Sequence, residues 1–463
     1  MAKPFSALSS ARGSAWRRRF GQRLRAARHR AGLSQEELAA PDLTKGFVSL
    51  LESGRSYPSV ETLLAFARRM RAPVGALLFD GDDLRIETAG NLLHLAWTAD
   101  YDARAADILH LVTAAELVAP DLPADLRVQA ELVRARVAMA TGQLDEAARC
   151  ADEAIARAEH QQLLGPLGTA LTVRGGVHER RGEYGPAAAL LERAIEVMRR
   201  AKTLESEDGV RALLSLGVAR WRMGDLDASE AAHRQALAIA TRLDLPRLRG
   251  RALNNLGLLA WNRGELDRAV ELYSEAYAVL ETTEDLFEIG RVLNNLGLVR
   301  RVQGFHDEAL AVLTKALRIR ERQGDLRGLA ATRDELARVY LALGQLDQAA
   351  EAAERAAADA RAVGDRGREA VAQVTLGRVW RAQQRPDEAA QILRAALALL
   401  LDLQMVPEAA AAATELGLLL KETGQTAEAA EVLAQAVRLG STAPAFAGGL
   451  QGPHEAAFAW HDP

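Results

Sequence analysis

The sequence has 463 residues, of which 49% are hydrophobic, 26% charged and only 5% aromatic. This length suggests about three domains at roughly 150 residues each, and the apolar fraction excludes a chain that is disordered throughout. The single cysteine, Cys150, excludes an internal disulfide framework and a cysteine-based zinc site. No apolar run approaches the roughly 18 residues that cross a bilayer, so we expect a cytoplasmic protein.

The net charge of -4 conceals an uneven distribution. Residues 1–79 hold 14 lysines and arginines against five acidic residues, which leaves 44 basic and 57 acidic residues for the rest of the chain. A basic N-terminal segment on an acidic body indicates that this segment meets an anion. Charge alone leaves open whether the anion is nucleic acid or a membrane surface.

Residues 14–80 are predicted to form a small helical domain, the head, after a flexible arm over residues 1–13. Ser34 and Glu37 are spaced as a capping box, which marks the start of a helix. The start and stop signals predict five helices: a basic helix over residues 14–31, a second capped by Ser34, a third capped by Thr44 and ended by Gly54, a fourth opening at Pro58 and a fifth at Pro73. We expect two or three arginines of the basic helix to contact phosphates and the others to lie in solvent: Arg17, Arg18, Arg19, Arg23, Arg25, Arg28 and Arg30.

Three spaced blocks of the head carry a resemblance to a known family. LSQEELA at 33–39, VSLLESGR at 48–55 and PSVETL at 58–63 resemble the lambda-repressor-like (Xre-family) helix-turn-helix. The resemblance implies that the third helix enters a DNA major groove. The residues that it places at DNA are Gln35, Thr44, Lys45, Gly46, Phe47, Ser49 and Arg55.

Side-chain chemistry supports base contacts by two of these residues. Gln35 can pair with adenine and Lys45 can donate to guanine; the alternative for both is a solvated surface. Thr44 and Arg55 are expected near phosphates, and Phe47 can touch a thymine methyl group. Leu50 departs from the family pattern, which favours a polar or basic reader there, so we expect it to pack against the head or a dimer partner.

The body of the chain is an internal repeat. A turn residue, glycine in seven of eight units, followed by a recurring pattern of small residues appears about every 40 residues: Gly142, Gly182, Gly224, Gly264, Gly304, Gly344, Gln384 and Gly424. Apolar residues recur at helical spacing on both sides of each turn. Each unit is therefore predicted to be a helix hairpin that stacks on its neighbours.

The repeats resemble the tetratricopeptide repeat (TPR), in a variant with long helices. The resemblance rests on Leu-Gly pairs such as Leu256-Gly257 before the turn and on pairs such as Ala269 and Ala276 after it. Residues 86–118 are interpreted as a ninth, degenerate hairpin. The predicted fold is all-α: the five-helix head, a linker over residues 81–85, an α-solenoid of about nine hairpins over residues 86–439, and a disordered tail over residues 440–463.

In TPR proteins the first helices line a groove, and the positions that correspond to the groove form rows one repeat apart. We predict a ligand-binding groove that consists of Arg211, Arg251, Asn254, Trp261, Arg291, Asn294, Arg301, Asp334, Arg338 and Arg378. Arginine forks suit carboxylates, and asparagine amides can satisfy an extended peptide backbone. The alternatives are ion pairing between repeats and a dimer contact. On the groove hypothesis, Asn254→Ala with Asn294→Ala abolishes the effector response and spares folding.

Two features complete the prediction. No catalytic or metal-binding motif is found, so neither an enzyme nor a cofactor is expected, and Cys150 is interpreted as a buried small residue. The tail is rich in Gly, Ala and Pro but also contains three aromatic residues, Phe446, Phe458 and Trp460. Docking of these aromatic residues onto the repeats is the alternative to a disordered tail.

The two domains together are similar to peptide-sensing Xre–TPR regulators. The resemblance implies a DNA-binding transcription regulator that is controlled by a peptide or protein effector and acts on double-stranded DNA, and we expect a homodimer without a membrane partner. One alternative is a repressor that needs no effector and uses its repeats for dimerisation or partner docking. Another is a scaffold whose basic head holds RNA, lipid or an acidic protein.

Overall fold

The computed structural model describes residues 7–442 apart from 42, 57, 73, 75–76, 78–82, 100 and 284. Within this part of the chain every regular element is a helix, 22 in all, which confirms the predicted all-α class. The chain divides into two compact units, residues 1–219 and residues 220–463. No helix in the described ranges is both long and apolar enough to cross a membrane.

The head contains four fully described helices: α1 (Ala7–Arg30), α2 (Gln35–Ala39), α3 (Lys45–Glu52) and α4 (Val60–Arg69). Helix α1 begins at Ala7 rather than at residue 14, so part of the segment expected to be a flexible arm is helical. The stretch from Ala7 to Gly13 contains no proline, and nothing in it stops the helix from extending backwards. Residues 1–6 and most of the expected fifth helix lie outside the described residues, although Val74 and Leu77 are helical.

The remaining 18 described helices follow one another in the order that the repeat predicts, and the two helices of eight predicted hairpins contact each other. In chain order they are α5 (Asp83–Thr98), α6 (Tyr101–Val118), α7 (Ala124–Ala140), α8 (Leu144–His160), α9 (Leu164–Arg180), α10 (Tyr184–Arg200), α11 (Glu207–Arg222), α12 (Leu226–Arg242), α13 (Pro246–Asn262), α14 (Leu266–Leu280), α15 (Leu286–Val302), α16 (His306–Gln323), α17 (Leu326–Ala342), α18 (Leu346–Ala362), α19 (Arg366–Ala382), α20 (Pro386–Asp402), α21 (Val406–Glu422) and α22 (Thr426–Thr442). Helix α22 ends at Thr442, so residues 440–442, which were expected in the disordered tail, are helical.

Small residues set the hairpin geometry. Gly264 adopts a φ of 76°, in the left-handed region, and its N–H donates to the carbonyl of Trp261 at 2.9 Å, which ends α13. A Cβ atom on Gly257 would lie 2.7 Å from the ring of Tyr273, so only glycine lets the two helices approach this closely. Ala269 and Ala276 are fully buried at the same contact. The residues that the sequence singled out therefore do the packing that was predicted for them.

In the unit of residues 220–463, consecutive first helices also contact each other: α13 with α15, α15 with α17, α17 with α19, and α19 with α21. The burial is most complete in two of them. Every residue of α13 from Ala252 to Trp261 and every residue of α15 from Glu288 to Val299 is buried. Polar side chains on these helices must therefore find their partners inside the protein.

Candidate functional site

The first candidate site is the exposed face of the helix-turn-helix, and it stands on a small apolar core. Phe20 and Leu24 of α1, Val48 and Leu51 of α3, and Phe66 of α4 are fully buried in one cluster. Gly54 permits the close approach of α1, because a Cβ atom there would lie 2.9 Å from the backbone nitrogen of Arg18. The core fixes α3 with its other side towards solvent.

A buried ion pair joins α1 to the end of α3. Arg28 donates from Nε to Oε1 of Glu52 at 2.6 Å and from Nη2 to Oε2 at 3.2 Å, and both side chains are almost fully buried. Arg28 also donates to the carbonyl of Leu33 at 2.8 Å. Arg23 is buried too and donates to the carbonyl of Leu77 at 3.1 Å. These two arginines were expected at phosphates or in solvent, and the structure corrects this: they lie on the apolar side of α1, near Phe20 and Leu24 in helical spacing.

The ionisation of Glu52 couples the stability of the head to pH. Burial opposes the charge, but hydrogen bonds from Arg28 and Gln35 outweigh it and lower the pKa of Glu52 below its ordinary value of 4.5. A group with a depressed pKa stabilises the folded state above the unfolded-state pKa and loses that contribution as the pH falls through the folded one. We therefore expect α3 to lose stability as the pH falls below about 4.5.

This pH dependence can be measured by urea titration of the full chain with amide exchange read on α3 peptides. The Glu52→Gln variant is expected to show a shallower pH dependence than the parent. Glu36→Gln is the matched control, since the side chain of Glu36 is 80% exposed. Equal slopes in the parent and Glu52→Gln would contradict the assignment.

Five of the seven predicted DNA-contacting residues lie at the capped starts of α2 and α3, whereas Ser49 lies within α3 and Arg55 after its end. Ser34 and Glu37 form the predicted capping box. The Ser34 hydroxyl accepts from the Glu37 N–H at 3.1 Å, and the Glu37 carboxylate accepts from the Ser34 N–H at 2.7 Å. Thr44 accepts from the N–H of Phe47 at 3.2 Å. The Ser34 hydrogen bonds lower the pKa of Glu37. The caps hold the first turns of both helices in place at the exposed edge of the head.

The structure separates these residues into exposed and internally bonded ones. Lys45 is 65% exposed and lies 3.9 Å from a carboxylate oxygen of Glu36. Thr44, Gly46, Ser49 and Arg55 are exposed as well. Gln35 donates its amide to Glu52 at 2.8 Å, and Phe47 is half-buried against the head core. Leu50 is 44% exposed, so it does not pack within the head as one of its two expected roles required.

The second candidate site is the inner strip, which we define as the predicted groove residues between 220 and 463: Arg251, Asn254, Trp261, Arg291, Asn294, Arg301, Asp334, Arg338 and Arg378. The other predicted groove residue, Arg211, belongs to the unit of residues 1–219, where it pairs with Glu207 at 2.6 Å.

The arginines of the inner strip are paired with carboxylates. Glu288 lies between Arg251 at 3.3 Å and Arg291 at 2.5 Å, and the Arg291 and Glu288 side chains are only 5% exposed. The corresponding pairs further along are Arg338 with Asp334 at 2.9 Å, Arg301 with Glu335 at 2.9 Å, and Arg378 with Glu415 at 3.1 Å. Burial is the main cause that lowers the pKa of Arg378. The strip is therefore charge-compensated.

The asparagines of the strip are bonded in the same way. Asn254 accepts from the amide of Asn295 at 3.0 Å, and Asn294 accepts from the hydroxyl of Thr332 at 3.0 Å. That hydroxyl in turn accepts from Arg320 at 2.6 Å. The sequence did not identify Glu288, Asn295, Thr332 or Arg320 as members of the network. The repeated Asn-Asn pairs were the available signal for Asn295.

Several buried side-chain atoms in or beside the strip form no hydrogen bond within the described residues, among them Nε1 of Trp261, Oδ1 of Asn295, Oδ1 of Asp334 and the Nε atoms of Arg320 and Arg378. Buried polar atoms without a hydrogen bond are rare in folded proteins. Trp261 offers a donor, and Asn295 and Asp334 each offer an acceptor, which matches the acceptors and donors of a peptide backbone. Elsewhere, Cys150 is buried as predicted, and burial raises the pKa of its thiol to about 12.

Comparison with known protein families finds a match for the repeats and a match for the head. Residues 129–445 match the family described as MalT-like TPR region, and residues 19–78 match a helix-turn-helix domain family. A search of curated proteins finds no match.

Among solved structures, the chain is similar to the apo form of RapI, with a TM-score of 0.60 and 15% identity over 76% of this chain and 97% of the other. It is also similar to aspartyl phosphate phosphatase F from Bacillus subtilis (TM-score 0.54, 16% identity, 81% and 98% covered). A third similar structure is a Rap protein complexed with Competence and Sporulation Factor, with a TM-score of 0.50 and 17% identity over 74% of this chain and 99% of the other. At these identities the similarity concerns the fold.

Proposed function

Because the chain belongs to the family of proteins with a MalT-like TPR region and carries a helix-turn-helix domain ahead of it, we propose that it is a sequence-specific DNA-binding transcription regulator. The observation that carries this proposal is the capped, exposed start of α3, with Lys45, Gly46 and Ser49 in solvent on a basic head. The ion pair of Arg28 with Glu52 supports it, since that pair fixes α3 against α1. A rigid helix with free polar side chains is what readout of base edges in the major groove needs.

The experiment is selection of bound duplexes from a random DNA pool by the full-length protein near physiological salt. A recovered pseudo-palindrome supports a sequence-specific dimer, whose half-sites are expected about 34 Å apart or a multiple of that distance. Bound DNA without sequence enrichment, combined with a steep salt dependence, favours the scaffold alternative.

Lys45 provides a test at the level of one side chain. Lys45→Ala is expected to weaken binding to the selected duplex by about 1–3 kcal/mol, or roughly 5- to 150-fold, and to relax the preference at one base pair. Titration of the selected duplex and of single-base variants measures both effects. Arg268→Ala is the matched control, because it removes a similarly exposed cation from a repeat in the unit of residues 220–463. An equal loss on selected and random duplexes would make Lys45 a phosphate contact rather than a base reader.

We further propose that the repeats bind an extended peptide or a protein segment at the inner strip, and that this binding controls the head. The unpartnered polar atoms of Trp261, Asn295 and Asp334 support it. A Rap protein of similar fold has been solved in complex with Competence and Sporulation Factor, which makes a ligand on such repeats worth testing here. Panning a random heptapeptide library against the full-length protein tests the proposal, with a change in duplex affinity as the second readout.

One observation favours the alternative of a regulator that needs no effector. The arginines of the inner strip already have carboxylate partners, so the strip is stable as it stands. If panning enriches no peptide while duplex selection succeeds, the repeats serve dimerisation or partner docking. Sedimentation of the full chain, with and without the selected duplex, then identifies which.

A further inference from the structure

The exposed face of α3 has a polar side and an apolar side. Successive residues of an α-helix are about 100° apart, so the exposed residues of α3 follow one another around the helix in the order Lys45, Ser49, Gly46 and Leu50. Lys45 stands at the polar end of this order, and Leu50 stands at the other end, next to the half-buried Phe47. The proposed function uses the polar residues of this face and leaves Leu50 without a role.

Leu50 is 44% exposed on a helix whose other apolar side chains belong to the head core. Val48 and Leu51 are fully buried in that core, and Phe47 packs partly against it. Exposed leucines are common on protein surfaces, so exposure alone indicates no partner. The position of Leu50 is the informative observation, because it continues the face on which Lys45 and Ser49 are exposed.

Gly46 lies one turn before Leu50 and leaves an open space beside it. A Cβ atom on Gly46 would meet only Oγ1 of Thr44, at an ordinary contact distance of 3.9 Å, and its φ lies outside the left-handed region. By contrast, a Cβ atom on Gly21 would clash with the carbonyl oxygen of Glu52. Neither packing nor backbone conformation therefore requires glycine at position 46, although glycine weakens a helix relative to alanine. Close approach of a ligand to the backbone is one of the tasks for which proteins keep glycine.

The charge of the head decides between DNA and a second copy of the chain as the molecule that contacts Leu50. Residues 1–79 hold 14 lysines and arginines against five acidic residues. Two heads that met at Leu50 would bring two positive charges together, whereas DNA phosphates neutralise the charge of a head. The charge therefore favours a base of DNA.

We propose that Gly46 and Leu50 recognise a thymine: its 5-methyl group enters the space at Gly46 and contacts the side chain of Leu50. This inference rests on the proposed function, since it names a base that the DNA-binding face reads. Thymine alone among the four bases carries a methyl group on its major-groove edge, and apolar side chains contact that group. The sequence suggested Phe47 for this contact, but Leu50 is more exposed, because Phe47 is half-buried against the head core.

Deoxyuridine tests the contact, because it differs from thymidine only in lacking the methyl group. Each thymine of the selected duplex is replaced in turn, and affinity for the full-length protein is measured. One position in each half-site is expected to lose about threefold to fivefold in affinity, the factor that corresponds to one buried methyl-sized group. A selected half-site that has no thymine, or that tolerates deoxyuridine at every position, overturns the inference and leaves the proposed function standing. A protein that selects no sequence overturns both.

Substitution of Leu50 assigns the methyl contact to one side chain. Leu50→Ala is expected to bind the thymine and deoxyuridine duplexes equally well. Leu64→Ala is the matched control, since Leu64 is 46% exposed on α4, and it is expected to keep the deoxyuridine effect. A deoxyuridine effect that persists in Leu50→Ala would assign the contact to another residue and overturn the inference. So would a loss of dimer in sedimentation of DNA-free Leu50→Ala, because it would identify a second copy as the partner of Leu50.

Substitution of Gly46 tests whether the space is used. Gly46→Ala is expected to weaken binding of the selected duplex at least about fivefold, because the added methyl group takes the place of the thymine methyl. Its urea midpoint is expected to equal or exceed that of the parent, since alanine favours the helix. Gly185→Ala is the matched control: Gly185 is also the second residue of a helix, α10, and a Cβ atom there has no neighbour within 4 Å. Parent-like binding by Gly46→Ala would show that no base enters the space and would overturn the inference.

Discussion

Glu288→Ala is expected to lower the free energy of unfolding of the repeats by about 3–5 kcal/mol, because it leaves the buried charge of Arg291 without its ion-pair partner. Arg291 is 4% exposed and donates twice to Glu288, at 2.5 and 3.0 Å. Arg251 of the preceding repeat lies 3.3 Å from the same carboxylate. Removal of this carboxylate therefore leaves the buried Arg291 without its ion-pair partner, and it takes one carboxylate from Arg251, whose side chain is 30% exposed. Urea unfolding followed by amide exchange on these two helices measures the loss.

Two control variants separate charge from shape. Glu271→Ala removes a glutamate that is 66% exposed and pairs with Arg268 at 2.7 Å on the surface; its effect is expected to stay below about 1 kcal/mol. Glu288→Gln keeps the shape of the side chain and loses its charge. Its loss of unfolding free energy should therefore fall between that of Glu271→Ala and that of Glu288→Ala. An unchanged urea midpoint for Glu288→Ala would mean that Arg291 is hydrated without its partner, and it would contradict a packed inner strip.

The repeat period predicted the architecture because one local pattern recurs in every unit. The Leu-Gly pair, the turn glycine and the two alanines each act within a hairpin, as the contact of Gly257 with Tyr273 shows. Such short-range packing depends on residue size and helical spacing, and both can be obtained from the sequence. The start of α1 was less well determined, since Ser9, Ser10 and Ser14 are all residues that can cap a helix and none of them is where α1 begins.

The partners of the inner strip depend on how one repeat lies on the next, which the sequence period does not fix. Stacked rows suggested neighbours 40 residues apart, yet Asn254 bonds to Asn295 and Asn294 bonds to Thr332. Arg301 reaches Glu335, only 34 residues away. Long side chains and tilted helices shift each contact along the row. The sequence therefore identified which faces meet, and the structure was needed to pair the side chains.

The same limit applied to the head. Arg28 was one arginine among eight on α1, and its burial depends on Glu52, which lies 24 residues later on another helix. The helix caps, by contrast, were predicted correctly at Ser34 and Thr44, because each involves a donor only three residues away.

Substitution of both asparagines, Asn254→Ala with Asn294→Ala, is now expected to destabilise the repeats by about 2–6 kcal/mol, not to spare folding. Each change leaves a buried donor without its acceptor, at about 1–3 kcal/mol per group: the Asn295 amide for Asn254 and the Thr332 hydroxyl for Asn294. Thermal and urea unfolding of the two single variants and the double variant measure this loss. The single effects are expected to add only approximately, since both asparagines lie where first helices meet. A double variant as stable as the parent would show that these bonds contribute nothing to the fold.

Because the double variant changes stability, a lost effector response in it would not identify the groove. Trp261→Phe is the sharper variant, since it keeps a ring in a site that is 7% exposed and removes an N–H that has no partner within the described residues. Its stability is expected to stay within about 1.5 kcal/mol of the parent, whereas affinity for a panned peptide should fall if Nε1 donates to that peptide. Peptide affinity that survives Trp261→Phe and falls only as the repeats unfold would place the effector away from the inner strip. Substitution of Trp261 thus distinguishes a residue that contacts the ligand from one that stabilises the fold, because its N–H has no hydrogen bond to lose within the described residues. Substitution of the asparagines cannot make this distinction, because both are bonded inside the protein.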